Sequence, residues 1–338
     1  MASTQSKTNL EKYLLVLLLP MCIYFSITIP ELFWSWNNFL SISAQIPLLG
    51  FLTFAMAITM LTGGINLSII PITNACALVM GWLSIALPDS VVYLPVVLIG
   101  GIAVGTITGL LNGILVAKIR VSPILATLGS MTFINGLNIL LSGGKAVSNF
   151  PNYILNIEKI SVFGVPFPMV LFILVSIVFW LVLEKTAFGK SVYMLGSNEK
   201  ATYYSGIDTN KILIMTYVLS SILCVFAAVI MMSKFNSAKS SYGESFLLVT
   251  ILASVLGGLN PDGGFGKTIG IVLSLVLLQA MESGFNMIGI SNFLTMALWG
   301  GTLILFIFLR NQDDKISRYF SHMTAHLQPK RSNTDQLS

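Results

Sequence analysis

Long apolar runs separated by short polar breaks dominate the chain and set its predicted elements. Ten of them read as helices crossing a hydrocarbon core: about 12–30, 46–62, 68–87, 91–117, 122–142, 166–183, 212–233, 245–257, 268–285 and 292–309. The eighth is the shortest. The pattern predicts an all-α, polytopic integral membrane protein with about ten transmembrane helices. Residues 1–11 and 311–338 are polar tails, and 12–310 form one membrane domain. One break stands out: 184–211 carries seven charged side chains, whereas Pro166–Leu183 and Ile212–Ser233 on either side carry none. Such a segment sits in water.

Inside that segment the residues predict a short capped helix. Asn198 is a good N-cap, and Glu199 suits the positive end of the helix dipole. Gly206 before Ile207 has the pattern of a left-handed stop. Ala201, Tyr204 and Ser205 share a face, and the small Ala201 leaves room for a partner.

Glycine adds two further readings. Gly101, Gly105, Gly109 and Gly113 recur every four residues on one face of the fourth run, which predicts close helix packing within the subunit or between two. Two clusters break helices at run junctions: Gly63-Gly64 within LTGGINLS, and Gly257-Gly258 with Gly263-Gly264 within LGGLNPDGGFG. Each is either a plain tight turn or a discontinuous helix beside a substrate path.

Composition agrees with the membrane reading. The chain is 55% hydrophobic and 9% charged, with mean hydropathy +0.86; a soluble domain carries about a quarter charged residues. With the N-terminus inside, only Lys145, Lys159, Lys234 and Lys239 of the 18 basic residues fall outside, as the positive-inside rule expects. Both termini are then cytoplasmic. The net charge of +5 reads as topology and attraction to anionic membrane lipids, with no nucleic acid as partner. The first run lacks a small-residue cleavage site and reads as an uncleaved anchor. Cys22, Cys76 and Cys224 lie in runs and read as packing residues.

Catalytic parts are missing. The two histidines, His322 and His326, lie in the polar tail, so neither a metal site nor a nucleophile–base pair is expected. PDGGFGKT at Pro261–Thr268 approaches the phosphate-loop pattern, but proline stands where the loop needs its first glycine. The chain is therefore not expected to hydrolyse ATP. The spans do hold neutral amides and hydroxyls. Asn66, Asn74, Asn112, Thr127, Asn135 and Asn138 are candidates for a pathway that takes a neutral, hydroxyl-rich solute, and Thr127, Met131, Asn135 and Asn138 share a face. Bonding between neighbouring helices is the alternative use of such residues.

At LTGGINLS (61–68), GLLNGILVAKI (109–119), ATLGSM (126–131), FGKSVYMLGSNEKATYYSGI (188–207) and VLGGLNPDGGFG (255–266) the chain resembles a family. That family is the permease subunits of bacterial ATP-binding-cassette importers for ribose, xylose, galactose, rhamnose and autoinducer-2. The resemblance implies two permeases, identical or paralogous, around a central pathway in a bacterial inner membrane. It also implies two separate ATPase subunits that bind the ATP and magnesium, and a periplasmic or lipid-anchored sugar-binding protein. No cofactor is expected in this chain. The family's docking pattern falls on Glu199, Ala201 and Gly206, with Thr202 where a second alanine is usual; Asn198 and Tyr204 complete the expected coupling set. The family usually has aspartate where Asn66 stands, and an acidic residue where Leu247 stands. FNSAKSSYGESFLL looks closest to the autoinducer-2 and rhamnose branch. The competing class is an ion-coupled secondary transporter of a small polar solute.

Overall fold

The computed structural model describes residues 23–162, 164–291, 293–302 and residue 304. The tails 1–11 and 311–338 lie outside those residues. So do the first half of the 12–30 run, the end of the 292–309 run, Cys22, His322 and His326.

Among the described residues, seven helices are long and apolar enough to cross a membrane. The first four are α1 (Trp36–Leu61), α2 (Ile69–Ala86), α3 (Leu94–Ala117, led by a 3-10 turn at Val91–Tyr93) and α4 (Pro123–Ser142). After a short α5 (Asn152–Lys159) comes α6 (Phe167–Lys185). Then follow α7 (Ala187–Ser197), α8 (Glu199–Tyr204), α9 (Thr209–Phe235), α10 (Phe246–Leu256) and α11 (Thr268–Ile288). Of these, α5, α7, α8 and α10 are too short to cross. Residues 293–302 form a separate helix in a second compact unit.

The core is built around α1 and α9, and α9 packs most extensively on α3, α1 and α2. The glycine stripe explains the closest of these contacts. A Cβ on Gly109 would lie 2.7 Å from the Val218 Cα, and one on Gly113 would lie 2.8 Å from the Ile214 Cα. The stripe therefore brings the α3 and α9 backbones together within one subunit, as absent side chains allow.

Two predicted runs are corrected. The second run, 46–62, belongs to α1, which starts ten residues earlier, at Trp36. Ser35 caps it by accepting from the Asn38 amide, and Asn38 is itself buried between the Phe33 carbonyl and the Ser283 hydroxyl. Satisfied polar groups let a helix run through residues that hydropathy assigns to a loop. The eighth run is not a span. α10 has 11 residues, about 16 Å of rise against a hydrocarbon core of about 30 Å. The chain before it, 236–245, is non-helical and begins with β4 (Ser237–Ala238), which pairs antiparallel with β1 (Val147–Ser148).

That non-helical chain descends into the bundle. The Asn74 side-chain amide donates to the carbonyls of Ser240 (2.7 Å) and Tyr242 (3.0 Å). Thr73, next to Asn74, lies beside Cys224. Cys224 is eleven residues, about 16 Å, from the Phe235 end of α9. Tyr242 is thus held near mid-depth, and α10 covers only the remaining half.

The 143–165 connection carries α5, which buries Tyr153, Ile154 and Ile157, and a hairpin of β2 (Ser161–Val162) with β3 (Val165–Pro166). Burial raises the Glu158 carboxyl above its ordinary range, with Lys234 opposing the shift. Cys76 and Cys224 are buried and free.

Candidate functional site

The polar segment 184–211 folds as two short helices. Thr186 caps α7 by accepting from the Gly189 amide, a helix that the sequence reading did not separate from its surroundings. α7 docks through Leu195, which is buried with Ala117 and Leu213 at the ends of α3 and α9. The Tyr193 hydroxyl donates to the Gly266 carbonyl at 3.0 Å. Burial, with Glu184 nearby, pushes its pKa up to about 12, so it remains a donor at physiological pH.

α8 follows at once. Asn198 accepts from the Ala201 amide at 3.0 Å, and Gly206 ends the turn at φ +83°, where a residue with a Cβ is strained. Thr202 faces inward, 2% exposed, and donates to the Asn198 carbonyl. Ala201, Tyr204 and Ser205 are exposed. Tyr203, which the sequence reading passed over, is exposed too and meets Tyr204 edge-on with centroids 5.9 Å apart. The outer face of α8 is thus aromatic and small, and nothing in the described chain covers it.

α8 is tied inward by charge. Arg120, in the α3–α4 connection at φ +63°, pairs with Glu199 and donates to Asn210 at 3.2 Å. Four residues beyond α4's first residue, Thr127 accepts from the Leu67 amide (3.2 Å) and lies 3.0 Å from the Ile65 carbonyl. One short connection therefore joins the exposed α8 to the first glycine junction.

That junction is a break inside the bundle rather than a surface turn. Asn66 is fully buried and donates to the Ser220 hydroxyl at 3.1 Å. Ser220 is eleven residues, about 16 Å, from the start of α9. Asn66 Oδ1 accepts from the amide and hydroxyl of Ser68, and Asn112 donates to that hydroxyl at 2.8 Å. The Leu67 and Ser68 amides and the Ile65 carbonyl, freed by the broken helix, are satisfied by side chains, as membrane depth requires.

Of the six pathway candidates, Asn66, Asn112 and Thr127 are brought together here, and all three are buried. Asn74 is apart, holding the 240–242 chain. Asn138 donates to the Pro71 carbonyl at 2.9 Å. Asn135 is half-buried.

The second glycine cluster meets the first. The Gly264 amide donates to the Leu61 carbonyl at 2.9 Å. A Cβ on Gly263 would lie 2.6 Å from the Gly63 nitrogen, and one on Gly264 would lie 2.9 Å from the Ser197 Cα. The end of α1, the end of α7 and the loop before α11 therefore touch backbone to backbone. Gly258 is also left-handed (φ +95°), and Gly257 crosses α11 with Cβ room of only 2.6 Å to the Ile271 Cα. Gly196, at the centre of the knot, was not among the predicted glycines. Amides of PDGGFGKT are spent here on protein carbonyls: Gly263 donates to Asn260 and Gly264 to Leu61.

Comparison with known proteins agrees with this architecture. The family described as branched-chain amino acid transport system / permease component matches residues 38–307. The autoinducer 2 import system permease protein LsrD of Photorhabdus temperata is 32% identical over 301 residues, covering 87% of this chain and 89% of the relative. Its counterparts in Salmonella typhi and Escherichia coli K12 are 32% identical over 77% of this chain and 79% of theirs. No solved structure matches. The chain belongs to this family: it is a multi-pass inner-membrane permease component of an ATP-binding-cassette importer, with ATP hydrolysis on a separate subunit and a solute-binding protein as a further partner.

Proposed function

We propose that this permease carries an uncharged sugar-like molecule, autoinducer 2 or a simple sugar, into the cytoplasm, and that its ATPase partners push it through α8. The observation that carries this reading is the exposed, doubly capped α8, tied through Arg120 and Gly196 to two breaks in membrane helices. Closure of ATPases beneath Ala201, Tyr203, Tyr204 and Gly206 would displace α7 and α8 together. The backbone contacts at Leu61 and Gly264 would pass that displacement to α1 and α11. The α7–α8 end then faces the cytoplasm with both termini. A second permease, a copy or a paralogue, completes the pathway, and ATP and magnesium are held by the partners.

Chemistry favours the uncharged solute over a branched-chain amino acid. A zwitterion needs counter-charges, and the fully buried polar side chains among the described residues are serine, threonine, asparagine and glutamine; the half-buried Lys234 is already faced by Glu158 and Glu282. Asn66, Asn112 and Thr127 contribute to the pathway by fixing the break beside it. The test is uptake of autoinducer 2 and D-ribose into vesicles holding the full importer. Uptake that requires ATP and the partners is expected; uptake by this chain alone on an ion gradient would refute the reading.

A further inference from the structure

The descending chain 236–245 frames a cavity of about 440 Å3, lined by Phe235, Ser241, Tyr242, Gly243, Ser245 and Phe246. That volume is in the range of small-molecule sites, about 300–1,000 Å3. Phe235 ends α9 and Phe246 begins α10, so the cavity runs from the rim opposite α8 to the level where the half-helix starts. Membrane proteins tolerate non-helical backbone at that depth where it is covered by protein or lines water.

The lining is organised rather than incidental. The two Asn74 hydrogen bonds hold the backbone on both sides of Ser241. The Tyr242 ring is fixed at both ends: its hydroxyl bonds Ser237 at 2.8 Å, and its edge meets Phe235 at 5.4 Å and 74°. Ser241 is exposed and Ser245 half-buried. Ser245 does not cap α10, and neither hydroxyl has a protein partner among the described residues. A hydroxyl without a partner at membrane depth is costly unless water or solute reaches it. Glu244, exposed on the same segment, disfavours an anion.

We propose that Ser241, Tyr242, Ser245 and Phe246 form the permease's own contact site for solute, an uncharged polyhydroxy molecule of monosaccharide size. The aromatic faces take its C–H surface, and the two serines take its hydroxyls. The site is weak by construction, with two neutral hydroxyls and no clamp, which suits a step between a binding protein and release. The substrate class rests on the function proposed above, whereas the cavity and its accessibility do not.

Ser245→Cys and Ser241→Cys, in a Cys22→Ala background with the assembled importer in intact cells, test both parts. A membrane-impermeant methanethiosulfonate added outside is expected to label both cysteines and to lower uptake of autoinducer 2 or D-ribose at least tenfold. Ser245→Val is expected to cut uptake about fivefold or more, and Ser245→Thr to retain most of it. Absence of labelling would mean that lipid or another subunit fills the cavity, and would overturn the site. Wild-type uptake by Ser245→Val would overturn the hydroxyl contact. If the unmodified importer moves neither probe with ATP, the assigned solute is wrong, and labelling still decides the cavity.

Discussion

Gly196→Ala is the most direct test of how α8 is connected to the membrane helices. A Cβ at Gly196 would collide with the Leu61 carbonyl oxygen and lie 2.5 Å from the Gly264 nitrogen. Those atoms are the acceptor and donor of one hydrogen bond, 2.9 Å long. Both are backbone, so neither can swing aside, and α7 has to lift off α1 and the 257–267 loop. Overpacking of this kind costs about 1–3 kcal/mol, and the strained hydrogen bond adds about 1 kcal/mol. Replacing glycine by alanine within a helix returns about 1 kcal/mol, leaving about 1–3 kcal/mol of destabilisation. Gly129→Ala and Gly136→Ala in α4 are matched controls, because a Cβ there meets nothing within 4 Å and only the helical gain remains. Thermal unfolding of the detergent-purified chain, read by fluorescence-detected size exclusion, should show a midpoint several degrees lower for Gly196→Ala and unchanged or higher for the controls. In proteoliposomes with the full importer, solute moved per ATP hydrolysed should fall for Gly196→Ala alone. Equal stability and equal coupling of Gly196→Ala and Gly129→Ala would refute the transmission argument.

Arg120→Ala should lower uptake at nearly unchanged stability, because the Arg120–Glu199 pair is about half exposed and such pairs contribute at most about 1 kcal/mol. Partial recovery in the Arg120→Glu, Glu199→Arg exchange would show that the pair itself is used, and no recovery would argue against it. Asn66→Ala removes three hydrogen bonds at the buried break and strands the Ser68 amide, so a loss of about 2–5 kcal/mol is expected, visible as a lower unfolding midpoint. Gly206→Trp has open space around it and lies where the ATPase is proposed to dock, but costs about 1–2 kcal/mol of left-handed backbone strain, which Gly206→Ala shares and so controls for. Folded protein with ATP hydrolysis uncoupled from uptake by Gly206→Trp, beyond any effect of Gly206→Ala, is the expected outcome, and normal uptake would count heavily against docking at α8.

Much of this protein could be read directly from its residues. Apolar runs near 68–87, 91–117, 122–142, 166–183, 212–233 and 268–285 became helices because a membrane-length apolar segment has no other way to satisfy its backbone. Asn198 and Gly206 could be assigned as caps because capping is settled within a few residues of chain. Local patterns of this kind do not depend on what packs against them.

Tertiary structure decided the rest. Hydropathy could not distinguish 245–257 as a span from a turn-rich, non-helical entry followed by a half-helix, since both bury similar side chains; the partner that holds the entry, the Asn74 amide, lies 166 residues from Ser240 in sequence. Nor could spacing reveal that Asn66, Asn112 and Thr127 converge while Asn74 and Asn138 stand apart, or that Gly196 lies against Leu61 and Gly264. Those facts depend on which backbones approach closely, and that is fixed when distant segments pack and each buried polar group finds its partner.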